Sequence, residues 1–181
     1  MPESDATLAD LHVARVPFAI RRCRADDLGS LEWFGEFRDH REIIERTFAQ
    51  TGAGTQAMWI ADVNGFPAGQ LWVDLQRDRL WAARVLQPLR GCGLGSALTR
   101  RAERDLAARG RTHAAVSVET GNPCGLRFWL RAGYRHAART TEAWSYTTPD
   151  GVHVDATAEL YVLEKDLTEE QHHDRSSLDD R

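Results

Sequence analysis

Lysine is almost absent from this chain. Lys165 is the only one in 181 residues, and every other permanently positive side chain is arginine. That excludes a Gly-Lys-Ser/Thr phosphate loop, which needs its lysine. Cysteine is scarce too: Cys23, Cys92 and Cys124 are an odd number with no Cys-x-x-Cys spacing. They read as free thiols of a reducing cytoplasm, not as a disulfide frame or a zinc site. No apolar run approaches the roughly 20 residues of a membrane helix. The acidic start Met1-Pro2-Glu3-Ser4-Asp5 does not read as a secretory leader. A basic surplus is missing as well, since Lys plus Arg number 23 against 27 for Asp plus Glu, a net charge of −4. Duplex nucleic acid is therefore not expected as the main ligand, because neutralising phosphates needs an excess of positive charge.

What is present is an ordinary globular mixture, 42% hydrophobic and 28% charged, in a chain long enough to bury a core without staples. Residues 1–16 and 167–181 are polar and read as flexible tails, leaving one domain over 17–166. The tail pair His172-His173 could bind a metal or simply be solvated. Phe18–Cys23 reads as a strand. Asp26 or Asp27 can cap a helix with Leu28, Leu31 and Phe34 on its apolar side. A second helix is predicted over Asp39–Gln50, with Ile43, Ile44 and Phe48 inward and Gly52 as its stop. Met58–Val63 and Ala68–Leu75 flank Asn64-Gly65, a type I′ hairpin signal, and Leu80–Leu86 reads as the next strand. A helix over Gly93–Ala108, a strand over Ala114–Val118 and a helix over Pro123–Ala132 follow. Tyr134–Thr141 is strand-like, and Trp144–Thr148 with Val152–Leu163 forms a long hairpin around Pro149-Asp150-Gly151. Strands and helices in this order describe one mixed α/β domain.

The chemistry concentrates in Val85-Leu86-Gln87-Pro88-Leu89-Arg90-Gly91-Cys92-Gly93-Leu94-Gly95-Ser96. A strand ends, a glycine-rich turn follows, and an amphipathic helix begins at once. Three glycines at alternate positions remove Cβ atoms between a ligand and the backbone. The amides converge at a helix N-terminus, where the peptide dipoles favour an anion, and Arg90 adds a positive charge. This reads as a pyrophosphate cradle, or as a tight strand-to-helix turn with no ligand. It is not a dinucleotide fingerprint, because Ser96 stands where the third glycine belongs and no acidic residue falls at the usual distance.

Arg90-Gly91-Cys92-Gly93-Leu94-Gly95 resembles the Arg/Gln-x-x-Gly-x-Gly signature of the GNAT family of N-acetyltransferases. Asn122-Pro123-Cys124-Gly125-Leu126-Arg127-Phe128-Trp129-Leu130-Arg131-Ala132-Gly133-Tyr134 is similar to the family's Asn-x-x-Ala-x-x-Phe/Leu-Tyr-x-x-x-Gly-Phe segment. The resemblance spans Phe18–Leu163 and is closest over Val85–Tyr134. It implies a single domain whose mixed sheet of about seven strands is flanked by about four helices and splays between the fourth and fifth strands. It implies acetyl-CoA as co-substrate and an amine-bearing acceptor, with a homodimer left open. The pantetheine arm would enter the splay and pair, like an added strand, with backbone at Arg84, Val85 and Leu86. Gly91, Cys92, Gly93, Leu94, Gly95 and Ser96 would hold the pyrophosphate, with Arg90 at the mouth. Asn122 would hydrogen-bond the arm, although with Pro123 behind it the same residue also suits a helix N-cap. Arg127 and Arg131 either reach a nucleotide phosphate or form a solvated face.

The implied reaction is direct transfer: an amine loses a proton and attacks the thioester, and a backbone N–H such as that of Val85 holds the oxyanion. The sequence departs from the family where it carries Trp129 at the usual general-acid tyrosine and Ser117 at the position of a carboxylate base. Glu119, two residues on and on the same face of the strand, is the substitute base or else a solvated strand-end charge. Tyr146 or Tyr134 is the substitute acid, unless positioning alone suffices. Cys92 and Cys124 have no histidine partner, so an acyl-cysteine route is not expected. Aromatic residues such as Trp33, Trp72, Trp81 and Trp144 could wall an acceptor pocket or serve the core. A small amine or a peptide N-terminus fits, with a non-catalytic acyl-CoA sensor as the alternative.

Overall fold

In the computed structural model, residues 16–168 are described, so the tail pair His172-His173 and most of both polar ends lie outside the described residues. The Asn64-Gly65 turn has both residues left-handed, at φ 52° and 84°, the geometry that matches strand twist in a two-residue hairpin. It joins β2 (Gln56–Val63) to β3 (Phe66–Asp74). Added to these are β1 (Ala19–Arg22), β4 (Arg79–Val85), β5 (His113–Glu119), β6 (Arg135–Thr147) and β7 (His153–Asp166). The sheet order is β1-β2-β3-β4-β5-β7-β6, antiparallel except for the β4–β5 pair. As expected, this is one mixed α/β sheet of seven strands. Its longer helices are α1 (Arg41–Gly52), α2 (Leu94–Ala108), α3 (Pro123–Arg131) and a 3-10 helix over Ala25–Glu32, with single 3-10 turns at Arg38–His40 and Gln87–Leu89.

Two cores follow from strand alternation. On one face α2 and α3 pack Leu98, Leu106 and Trp129 against Trp59, Leu71 and Val116. On the other, α1 and the 3-10 helix pack Leu31 and Ile44 against Met58, Ile60 and Trp72. Burying each large side chain contributes about 1.5–3 kcal/mol. Across the first core, Lys165 on β7 donates to both carboxylate oxygens of Glu103 on α2 at 3.1 and 3.2 Å.

Three expectations are revised. The first helix is 3-10, not α-helical, and neither Asp26 nor Asp27 is its N-cap. Asp27 sits inside the first turn, where its carboxylate accepts from the Arg24 amide at 2.7 Å and from the Arg21 guanidinium at 2.6 and 2.7 Å. Burial raises the Asp27 pKa, but these bonds more than offset it and the net shift is downward. The helix stops in two left-handed residues, Trp33 (φ 43°) and Phe34 (φ 60°). This turns Phe34 out of the expected stripe to 89% exposure, stacked on Phe66. Finally, Tyr134–Thr141 and Trp144–Thr148 belong to one 13-residue strand, β6, because β7 pairs with it throughout. At the other end Leu167, one residue past the expected boundary, is buried and donates its amide to Thr112.

Candidate functional site

The sheet opens where β4 meets β5. These strands are in register only at Arg79↔Ala115 and Leu80↔Val116, so beyond Leu80 they part. The cause lies in β4. Its register with β3 passes from Trp72↔Trp81 to Gln70↔Arg84, three residues against two, with Ala82 left-handed at φ 48°. This is a β-bulge, which bends its strand and leaves the extra residue outside the ladder. Past the bulge the Leu86 amide donates to Ala68 and the Leu86 carbonyl accepts from Leu89. Alternation along an antiparallel strand then turns the Val85 N–H and C=O toward the gap. Of the three residues expected to meet an inserted arm, Val85 faces it and Leu86 is committed elsewhere. Arg90 reaches back to donate from Nε to the Val85 carbonyl at 3.1 Å.

At the mouth of the gap, Gly91 and Gly93 are left-handed at φ 85° and 89°. A Cβ on either would meet nothing within 4 Å, so these glycines serve the backbone conformation. Gly93 is the N-cap of α2, without a side-chain cap or an acidic residue in the first turn. The first amides of a helix have no intrahelical acceptor, so those of Leu94, Gly95 and Ser96 converge on the mouth. Gly95 has a different role from the one its spacing suggests. A Cβ there would lie 3.3 Å from the Phe128 ring, so it permits α2 and α3 to pack closely. Beside the loop a groove of about 290 Å³ is lined by Ser96, Arg100, Phe128 and Arg131 among others. Arg127 instead donates to the Cys124 sulfur at 3.2 Å.

Asn122 caps α3, its Oδ1 accepting from the Gly125 amide at 2.8 Å. A Cβ at residue 125 would stand 2.7 Å from the Asn122 Nδ2, so glycine replaces the family's alanine where the cap folds back.

Glu119 ends β5, exposed and on the same face as Ser117. Ser117 accepts from Arg79 at 2.6 Å, and Arg79 also pairs with Glu142 of β6 at 2.8 Å. That bridge ties three strands across the face. Register places Glu119 beside Leu160 and Leu160 beside Thr140. Tyr146 therefore stands six residues further along β6, on the order of 20 Å of strand. The two expected catalytic side chains thus share a face but are not neighbours along the sheet. Tyr146 stacks on His40 instead, at 5.3 Å between centroids. Trp129 is buried edge-on between Phe128 and Tyr134, so both Trp129 and Tyr134 pack in the core. Burial pushes the Cys23 thiol up to about 12.

The sequence did not single out Gln70, His40 or the Arg84 side chain. Arg84 lies 4.0 Å over the Phe37 ring, and burial lowers its pKa against the opposing pull of Glu36. Burial also holds His40 below its ordinary value, with Arg84 adding to the effect. The signal was a polar residue in each of two apolar strands, Gln70 in β3 and Arg84 in β4. Over this face the tip of the β6–β7 hairpin meets the other layer. Thr147 donates its amide to Glu42 at 2.7 Å, and Arg38 pairs with Asp150 at 2.9 Å.

Solved acetyltransferases share this architecture. A GNAT-family protein of Desulfovibrio desulfuricans aligns at a TM-score of 0.67 with 16% identity, over 84% of this chain and 100% of its own. The ribosomal-protein-S18-alanine N-acetyltransferase of Escherichia coli aligns at 0.61 with 20% identity, over 83% and 94%. The PaiA N-acetyltransferase of Thermoplasma acidophilum, solved in complex with coenzyme A, aligns at 0.64 with 14% identity, over 83% and 99%. At these identities the likeness is one of fold. The sequence profile of the Acetyltransferase (GNAT) family matches residues 24–134, more than half of the chain, and the chain belongs to that family. Among curated protein sequences none matches it significantly. Among the described residues no helix is long and apolar enough to cross a membrane.

Proposed function

We propose that this protein transfers an acetyl group from acetyl-CoA to the amine of a small molecule or a peptide N-terminus. The observation that carries the reading is the uncapped start of α2, whose amides meet at the mouth of the β4–β5 gap. An anion held there gains both hydrogen bonds and the helix dipole. In this reading the amides of Gly91 and of residues 93–96 hold the pyrophosphate, the Cys92 amide donating instead to the Leu89 carbonyl at 3.3 Å, and Val85 pairs with the arm. Arg100 and Arg131, in the adjoining groove, face the nucleotide end. The thioester supplies an acyl carbon open to attack. The C–N bond forms as the C–S bond breaks, and the proton lost by the amine balances the departing sulfur. The unpaired backbone at the Ala82 bulge and the Val85 N–H are the donors available to the carbonyl oxygen. Glu119 stands at the rim to accept the proton of the amine.

Calorimetry with acetyl-CoA tests the reading; absence of binding by folded protein overturns it. Glu119→Gln is expected to lower kcat/KM on an amine by about a hundredfold and to change its pH profile. An unchanged profile removes Glu119 from the role. Tryptophan at 129 leaves the family's usual acid position without an acid and favours one second reading, an acyl-CoA sensor. Tight coenzyme binding with no thiol release across a panel of amines would select it.

A further inference from the structure

Five buried polar atoms on one side of the gap make no hydrogen bond: both side-chain atoms of Gln70, Nε1 of Trp72, Nη1 of Arg84 and Nδ1 of His40. Gln70 and Trp72 are alternate residues of β3, and Arg84 is the register partner of Gln70. The pleat therefore sends all three to the same face. His40 closes over them from the opposite layer, linked through Phe37, which touches both His40 and Arg84. Gln70 is fully buried, at 0% exposure. Arg21, Arg79 and Arg84 are the arginines among the described residues that are not exposed. Arg21 and Arg79 hold carboxylates at 2.6 and 2.8 Å, whereas Arg84 has none and makes no side-chain hydrogen bond.

Withdrawing a guanidinium and a carboxamide from water without partners is costly. Such a pair suits a planar acid, which an arginine grips with two parallel bonds. Arg84 also follows the bulge residue Ala82 by two positions on β4, so the cluster adjoins the opening of the sheet.

We infer that this cluster receives the acceptor and selects one that carries a carboxylate near its amine, with Arg84 gripping the acid and Gln70 supplying the neutral second contact. The inference rests on the acetyl-transfer reading above and narrows its acceptor to free amino acids and related acid-bearing amines. Polyamines and amino sugars are disfavoured, because their ammonium groups would meet a half-buried like charge.

The test pairs each amino acid with the amine that lacks only its carboxylate: L-phenylalanine with phenethylamine, L-leucine with isoamylamine, L-lysine with cadaverine. Thiol release from acetyl-CoA and calorimetric binding of each compound are both measured. The full chain is expected to prefer the acid in each pair, by about tenfold or more in kcat/KM and in affinity. In Arg84→Met the ratio within each pair falls toward one, whatever the absolute rate, and Arg84→Lys, which keeps the charge but not the fork, falls between. Thermal melts show that each variant is folded. Equal or reversed preference, or a preference that survives Arg84→Met in folded protein, overturns the inference. Acetylation of amines without that preference leaves the parent reading standing. Loss of acetyl-CoA binding removes the parent reading, and the calorimetric ratios still decide whether Arg84 receives a carboxylate.

Discussion

Residues 91–96 and residues 33–40 stand on opposite sides of the same gap and are held in place by different means. The first loop is fixed by its backbone: two left-handed glycines and an uncapped helix start, with Arg90 folded onto the Val85 carbonyl. The second is fixed by side chains from far away in sequence. Arg38 meets Asp150, His40 meets Tyr146, and Phe37 lies beneath Arg84. A backbone-built site needs particular residues at particular spacing. A side-chain-built one needs only partners that the fold brings together, and those partners are free to differ from one relative to the next. In the proposed reading the backbone-built side receives the donor, and the side built from distant side chains receives the acceptor.

The contrast can be broken hardest at Gly93. Gly93→Asp forces a side chain into φ 89° and sets a negative charge where the helix dipole calls for an anion. Coenzyme affinity should fall more than about a hundredfold, roughly 3 kcal/mol, by calorimetry. Retained affinity would show that the cradle lies elsewhere. Gly95→Ala acts two residues further on, pressing a methyl group against Phe128. It should destabilise the fold by about 1–3 kcal/mol in urea. A neutral result would mean that Phe128 gives way freely.

On the acceptor side the effects are smaller. His40 binds its proton less readily in the folded protein than the ordinary 6.5, through burial and then Arg84. Unfolding therefore takes up a proton at mildly acidic pH, and stability falls as pH drops through about 6.5, flattening below the folded value. Asp39, Arg84 and Tyr146 surround the ring and are unchanged in His40→Phe, so that variant should lose this slope between urea midpoints at pH 7.5 and 5.5. An identical slope would refute the assignment. Smallest is Arg38→Ala, which removes an exposed ion pair of about 0.5 kcal/mol or less. Its expected signature is a raised KM for the amine with coenzyme affinity intact; equal changes in both would deny the division between the two sides.

The same division explains what could be read from the sequence. Asn64-Gly65, the glycines at 91 and 93, and Asn122 followed by Pro123 each act on the backbone within a few residues, so the hairpin turn, the glycine turn and the helix cap were legible. The splay was implied by family resemblance, but its local cause, the bulge at Ala82, has no residue signature, since alanine is an ordinary strand-compatible residue. Phe34 fits a helical period yet is exposed, because the 3-10 helix stops in two left-handed residues, Trp33 and Phe34 itself. Glu119 and Tyr146 are both catalytic candidates by residue type, and register sets them far apart along the sheet. Arg84 was noticed only for its backbone. The unmet hydrogen-bonding capacity of its side chain depends on Gln70 and Phe37, which only folding brings alongside.

An enzyme that handles activated acyl groups puts its own amines at risk of spontaneous acylation. This chain carries a single ε-amine, Lys165, and Glu103 holds it from beneath α2 in a position only 13% exposed. Paired and shielded in this way, the amine is withheld from acylating reagents in solution. Amine-reactive labels should modify Lys165 slowly in the folded protein and much faster once urea unfolds it, by mass spectrometry.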